Sequence, residues 1–268
     1  MHHAHRRLLP VLLFWFAAWV TSPTGLHALV IYGGATGYTT DPGNGLPWSN
    51  VGNTGVYLGA YQTGYWIITA NHVGAAGITL NGSGYAAVGG SAQRIGSTDL
   101  LLYRIDVTNL GAPTLPDLTL SNLSPATGQP VILVADGSGT MTWGNNTVAG
   151  YGNYSLVQDG PTTFGLITNY DAIAGEAQGQ TGDSGGALFY YHTATSTWWL
   201  SGIISGIGTS NGTDFTASVA LANYYNDIIA IVGTPLSAVP EPAAMALVAG
   251  LVALFVIWVR RKGHQPTP

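Results

Sequence analysis

Glycine divides this chain into pieces too short for most helices. Thirty-eight glycines are spread over 268 residues. Between them stand runs such as GVYLGAY, YWIITA, LLLYRI, PVILVA, GALFYY and WWLSGIISGI. These runs are rich in Val, Ile, Tyr and Trp. Each is closed by a cluster of Gly, Asn, Pro or Ser, which is the pattern of strand and turn. Strongly helical charged stretches are nearly absent. Only ANYYNDIIAIV, Ala222 to Val232, has apolar residues at helical intervals, and Gly233 followed by Pro235 stops it. Many short strands at this spacing predict an all-β sandwich or barrel with one terminal helix.

The two ends follow other rules. Residues 1–28 open with Arg6 and Arg7, continue apolar from Leu8 to Val20, and leave through Thr21-Ser22-Pro23-Thr24-Gly25 toward Ala28. A basic start, an apolar centre and a small-residue exit predict a secretory signal peptide, cleaved near Ala28. His2, His3 and His5 fall in this segment and are given no role. Residues 235–268 form a linker and a second signal. They hold Val239-Pro240-Glu241-Pro242, an apolar span over 243–259 broken only by Gly250, and then Arg260, Arg261 and Lys262. At about 1.5 Å per residue the span is barely long enough to cross a bilayer as a transmembrane helix. The basic cluster would hold its end in the cytoplasm. These three parts in this order resemble the PEP-CTERM sorting signal of Gram-negative-type bacteria. The resemblance implies recognition by an exosortase-type sorting enzyme and membrane anchoring through residues 243–259, transient or permanent. It also implies an exported protein of the cell envelope or extracellular matrix. A plain single-span anchor is the alternative.

Roughly 205 residues lie between the two signals, enough for one large all-β domain or two smaller ones. The chain has no Cys. Thiolate zinc sites are therefore excluded, and a core of this size can be buried without disulfide staples. Nothing in the sequence indicates a metal or a cofactor. The net charge is −5 and no basic stripe is present, which argues against nucleic acid.

Three short motifs carry the chemistry. IITANHV puts His72 at the end of an apolar strand, STDLLLYRI puts Asp99 at the start of another, and TGDSGGALF puts Ser184 in a glycine turn leading into a third. Asp106 is the competing carboxylate for Asp99, but it follows YRI and reads as the start of a turn. A serine hydroxyl is a weak nucleophile at neutral pH and needs a base such as histidine within reach. The imidazole in turn needs an acceptor that holds its other nitrogen.

In their order and local context these motifs resemble the chymotrypsin-like (trypsin-like) serine peptidases. The matching stretches are Thr69-Ala70-Asn71-His72-Val73, Asp99-Leu100-Leu101-Leu102-Tyr103, Gly182-Asp183-Ser184-Gly185-Gly186 and LSGIISGIG from Leu200 to Gly208. The resemblance spans roughly residues 29 to 233. It implies two six-stranded antiparallel β-barrels, over 29–120 and 121–234, with the terminal helix in the second. It implies a serine-type endopeptidase in which Ser184 is the nucleophile, His72 the general base then acid, and Asp99 the residue that orients His72. It further implies that the N–H groups of Gly182 and Ser184 form the oxyanion hole and that Asp183 has a structural role, bracing the turn from behind. A protein or peptide is the expected substrate.

The chain departs from the family pattern in places. Val73 stands where many relatives have a disulfide cysteine. Ile31-Tyr32-Gly33-Gly34 is a loose match to the activation terminus whose ammonium pairs with the Asp beside the serine. The substrate pocket is expected from Gln178, Ser205, Gly206 and Ile207. Gln178 stands where trypsin-like members carry a pocket-floor Asp, and Ile207 replaces a wall glycine. Two readings follow. Asp214 stands on the pocket floor and selects Lys or Arg, or Ile207 narrows the pocket toward small apolar residues. A different class of function is a non-catalytic β-rich matrix or surface protein held by the sorting signal. Low charge, high Gly and many aromatics suit it, and an intact His, Asp and Ser set speaks against it.

Overall fold

The computed structural model describes residues 28–137, 139–156 and 162–234. The expected signal peptide up to residue 27 and the expected sorting segment lie outside the described residues. Among the described residues, no helix is long and apolar enough to cross a membrane.

The strands of the first half are β1 (Val30–Ile31), β2 (Val51–Gly52), β3 (Gly55–Tyr61), β4 (Gly64–Ala70), β5 (Ile78–Leu80), β6 (Ser83–Tyr85), β7 (Gln93–Arg94), β8 (Leu100–Arg104) and β9 (Thr119–Leu120). Those of the second half are β10 (Pro130–Ala135), β11 (Thr142–Tyr154), β12 (Thr163–Asn169), β13 (Ala177–Gln178), β14 (Ala187–His192), β15 (Thr197–Ser210) and β16 (Thr213–Ala220). A 3-10 turn, Leu221–Tyr224, then leads into α1 (Tyr225–Val232). The helix predicted over Ala222 to Val232 is therefore present, and its first turn is wound tighter.

The second half closes on itself. β10 pairs with β11, β11 with β12, β12 with β16, β16 with β15, β15 with β14, and β14 returns to β10, all antiparallel. This is a six-stranded barrel with no free edge in the ring. Alternation along the strands fills it with Val131, Leu133, Val148, Leu166, Leu188 and Ile204.

The first half is built differently in detail. Its ladder runs β2-β3-β4-β8-β7, five strands, and β5–β6 forms a separate two-stranded ribbon. Six strands do not close there by hydrogen bonding. The ribbon closes the unit by packing instead. A side chain at Gly52 would collide with Thr79 O and Ile78, and the Tyr103 hydroxyl donates to Gly77 O at 3.3 Å. Tyr57, Ile67, Ile78, Leu80, Tyr85 and Tyr103 fill the space between ribbon and sheet. The whole is an all-β architecture of a closed barrel and an open, ribbon-covered sheet, with a short helix after the last strand.

One large core runs between the two units. Val56, Leu58, Trp66 and Ile68 of the first sheet pack in one cluster with Val134, Phe189, Leu200, Ile203 and Val219 of the barrel, and Ile228 and Val232 of α1 join them. Each such fully buried aliphatic side chain stabilises the fold by roughly 1.5–3 kcal/mol relative to exposure. Gly233 ends α1 with φ 81°, and its N–H donates to Ile229 O at 2.9 Å. The packed seam between the two halves is where the three motifs meet.

Candidate active site

The β4–β8 ladder brings the first two motifs together. Ala70 is paired with Leu100 in antiparallel register, so the residues just past the end of β4 meet those just before β8. The Asn71 N–H donates to Asp99 O at 3.2 Å, and the His72 N–H donates to Asp99 Oδ1 at 3.0 Å. The His72 ring completes the pair, with Nδ1 2.8 Å from Asp99 Oδ2. A carboxylate accepts only, so in the neutral ring the proton is on Nδ1 and the lone pair on Nε2. The His72 side chain is 41% exposed while that of Asp99 is 10% exposed. The ring is thus open to a substrate on one side and anchored to a buried carboxylate on the other. Asp106 lies elsewhere, accepting from the Thr108 N–H and hydroxyl in an exposed turn.

The barrel grips Asp99 from the opposite side. The Asp99 N–H donates to Thr163 Oγ1 of β12 at 2.9 Å. The Ser205 hydroxyl of β15 donates to Asp99 Oδ2 at 2.5 Å. Ser205 reaches it because of a bulge. In the β15–β16 ladder Ile204 opposes Ser218 and Gly206 opposes Ala217, which leaves Ser205 as the extra residue. An extra residue bends a strand and re-aims its side chain. The sequence expectation placed Ser205 in the substrate pocket. Its hydroxyl is instead buried and turned onto Asp99.

The glycine turn around Ser184 is fixed to the same bulge. The Gly185 N–H donates to Ile204 O and the Ile204 N–H donates to Gly186 O, both at 2.8 Å. Gly185 has φ 92°, and a Cβ there would lie 2.8 Å from both Thr54 O and Thr69 Oγ1. Only glycine lets the turn approach the end of β4 this closely, three residues before His72. Gly182 also has positive φ, 104°. The Asp183 N–H donates to Gln180 O at 3.1 Å, whereas the N–H groups of Gly182 and Ser184 on either side have no partner among the described residues. Two unengaged amides two residues apart, in a turn held by glycines, make a ready pair of donors for a developing oxyanion.

Asp183 lies behind this turn and is 1% exposed. Its Oδ2 accepts the Gln180 N–H at 2.8 Å. Burial pushes its carboxyl up to about 7, against the pull of the hydrogen bond from the Gln180 N–H. Ile31 stands elsewhere, in β1 opposite Ala177, with its side chain in the barrel core beside Gly144. The segment that does approach is Ala28, whose carbonyl accepts from Gln180 Nε2 at 3.2 Å.

The pocket residues separate into two groups. Gly179, Ile207 and Thr216 meet closely: the Gly179 N–H donates to Thr216 Oγ1 at 2.9 Å, and a Cβ at Gly179 would lie 3.3 Å from Ile207 Cγ2. Gly206 joins Ile207 to the bulge. Gln178 is buried, its Nε2 donating to Phe215 O at 3.0 Å. Asp214 does not form a pocket floor. It pairs with Thr209 near the tip of the β15–β16 hairpin, where it is exposed and accepts from the Thr209 hydroxyl at 2.5 Å. The reason is the turn. Asn211 and Gly212 both have positive φ, 51° and 81°, as a two-residue hairpin turn requires, and this register sends Asp214 outward and Phe215 inward.

Thr163 and Thr216 were not legible as site residues. Neither carries a local motif, and each reaches the site only through strand pairing. Among the described residues no cluster of His, Asp and Glu could hold a metal ion.

No family model and no curated protein matches this chain. Solved structures do. The chain is similar to the active form of the Rv3671c protease from M. tuberculosis, at 19% identity and TM-score 0.47, over 68% of this chain and 75% of that one. It is similar to the murine norovirus NS6 protease, at 19% identity and TM-score 0.46, over 65% of this chain and 93% of that one. It is also similar to a mutant of human heparin binding protein, at 17% identity and TM-score 0.48, over 70% and 87% of the two chains.

Proposed function

We propose that this chain is a serine endopeptidase that hydrolyses peptide bonds through an acyl-enzyme intermediate. The observation that carries the reading is the His72–Asp99 pair at 2.8 Å, held next to a glycine turn whose Gly182 and Ser184 amides are unengaged.

The steps follow from the residues. Ser184 Oγ attacks the scissile carbonyl carbon and its proton passes to His72 Nε2. Asp99 keeps Nδ1–H in place and stabilises the imidazolium. The carbonyl electron pair moves onto oxygen, which faces the N–H groups of Gly182 and Ser184. One such donor contributes roughly 3–4 kcal/mol to the transition state. The C–N bond then breaks as His72 returns the proton to the leaving amine. A water molecule, deprotonated by His72, repeats the sequence on the ester and frees Ser184.

The same reading extends to the substrate. Ile207 and Thr216 crowd the space beside Gly179, which supports a preference for small apolar residues before the scissile bond. The patterns of residues 1–28 and 235–268 support export and sorting to the cell envelope.

The test is turnover of an internally quenched peptide library by the folded 29–234 chain. Cleavage by the wild type that is lost in both Ser184→Ala and His72→Ala supports the proposal. Cleavage that survives Ser184→Ala overturns it.

A further inference from the structure

β15 changes its neighbours at the Ser205 bulge. Gly202 and Ile203 are paired on both sides, with β14 and with β16. From Gly206 to Ser210 the strand is paired with β16 alone, and among the described residues no strand takes the other edge. Such an edge presents a row of N–H and C=O groups to an added extended chain. It begins beside Ser205, which holds Asp99, and beside Ile204, which is bonded to the Ser184 turn.

The register sorts the side chains along this edge. Ile207 opposes Thr216, and both stand at the pocket beside Gly179. Gly206 opposes Ala217 and Gly208 opposes Phe215, so these four share the other face. Ile167 and Asn169 of β12 oppose Ala217 and Phe215 and extend that face. Gly206 and Gly208 bring no side chain to it. A cavity of about 280 Å³ opens there, lined by Ile167, Asn169, Ser210, Asn211, Thr213 and Phe215. Pockets for free small molecules begin at about 300 Å³, so this one suits a single side chain rather than a cofactor. Its lining joins an aromatic ring and an aliphatic chain to four polar side chains, none of them charged.

We infer that this cavity is a subsite for an aromatic side chain of the substrate, at the fourth residue before the scissile bond, an inference that rests on the peptidase reading above. Every pairing around the barrel ring is antiparallel. A peptide added in that sense runs from Ser210 toward Ser205, so the residues along the edge precede the scissile bond. The residue next to that bond sends its side chain to the Ile207 face. Alternation sends the second and fourth to the Gly208 face. The second is still beside the bulge. The fourth, three residues and about 10 Å farther along, is level with Gly208. There the missing side chain lets a large group cross the strand toward Phe215. A ring buries the most apolar area and gains from a second ring beside it. The neutral polar rim offers partners to a phenol or indole but no compensation for a buried charge.

The experiment uses the full chain and two peptides with a small apolar residue before the scissile bond. They differ only at the fourth residue before it, Tyr in one and Ala in the other. The ratio of their kcat/KM values is measured on the wild type. The ratio of their Kd values is measured by fluorescence anisotropy on Ser184→Ala, which binds without turnover. Both ratios should favour Tyr by about tenfold or more, as expected for burying most of an aromatic side chain. Gly208→Leu and, separately, Thr213→Trp fill the cavity, and each should bring both ratios down to about one, the value for no discrimination. If Gly208→Leu does not fold, Thr213→Trp decides alone. Equal cleavage of the two peptides by the wild type overturns the subsite and leaves the peptidase reading standing. A Tyr preference that survives in a folded cavity-filling variant also overturns the subsite. A Tyr preference in binding, lost on filling the cavity, in a wild-type chain that cleaves neither peptide would contradict the peptidase reading and leave the subsite standing.

Discussion

Ser205, the extra residue of a bulge in the second barrel, donates its hydroxyl to Asp99 Oδ2 at the mouth of a strand in the first sheet. The contact joins the two halves at the one carboxylate that also holds His72. Ser205→Ala should therefore act on turnover more than on binding. A hydrogen bond to a charged group contributes about 1.5–3 kcal/mol, so kcat should fall by about tenfold or more with KM nearly constant. Steady-state kinetics on a peptide substrate checks this, and a change confined to KM would count against the assignment.

Asp99→Asn keeps the shape and changes the proton pattern. An amide nitrogen facing His72 Nδ1 donates rather than accepts, which drives the ring proton to Nε2 and removes the base. A kcat loss of about 10⁴-fold is expected. Melting of the variant should stay close to that of the wild type, because Thr163 and the backbone contacts of Asn71 and His72 still hold the loop.

Asp183 couples stability to pH. Its carboxyl stands at about 7 in the fold against an ordinary value of 3.8, raised chiefly by burial. A raised value means the folded state holds the proton more tightly. Its contribution to stability is complete below pH of about 3.8 and is lost as pH rises through about 7. Asp183→Asn has no such proton to lose. The difference in Tm, wild type minus variant, should decrease steadily between those limits in calorimetry at matched ionic strength. Asp136 is shifted upward too, also by burial, but it is common to both proteins and cancels in the difference. A difference independent of pH would refute the assignment.

Ile207 tests the substrate pocket. Its Cγ2 stands beside Gly179, next to its cross-strand partner Thr216. Ile207→Gly opens that space. One methylene in an apolar pocket changes discrimination by roughly 1–3 kcal/mol, so the ratio of kcat/KM for large over small apolar residues should rise by at least about tenfold. A fluorogenic peptide series measures the ratio. Cleavage after Lys or Arg alone would reject the small-residue preference.

Local signals and long-range pairing divide what could be read without a structure. The strand before His72, the strand after Asp99 and the terminal helix are legible because apolar periodicity and turn residues are local. The open ladder of the first unit is not, since strands of two or three residues such as β5 and β7 carry no periodicity. Asp214 was ambiguous for a related reason: its direction depends on where the β15–β16 hairpin turns, and Asn211-Gly212 fixes that only in the folded pairing. The bulge at Ser205 is a shift of one residue between two strands and leaves no mark in either. Thr163 lies 64 residues from Asp99, and only barrel closure brings them into contact.

The central claim is that Ser184 is a nucleophile activated by His72. Covalent labelling tests it most directly. Wild-type protein treated with a fluorophosphonate should gain one adduct in intact-mass spectrometry, mapped to Ser184. Ser184→Ala and His72→Ala should gain none while remaining folded. A folded wild-type chain that takes no label, or one labelled equally after Ser184→Ala, would contradict the account.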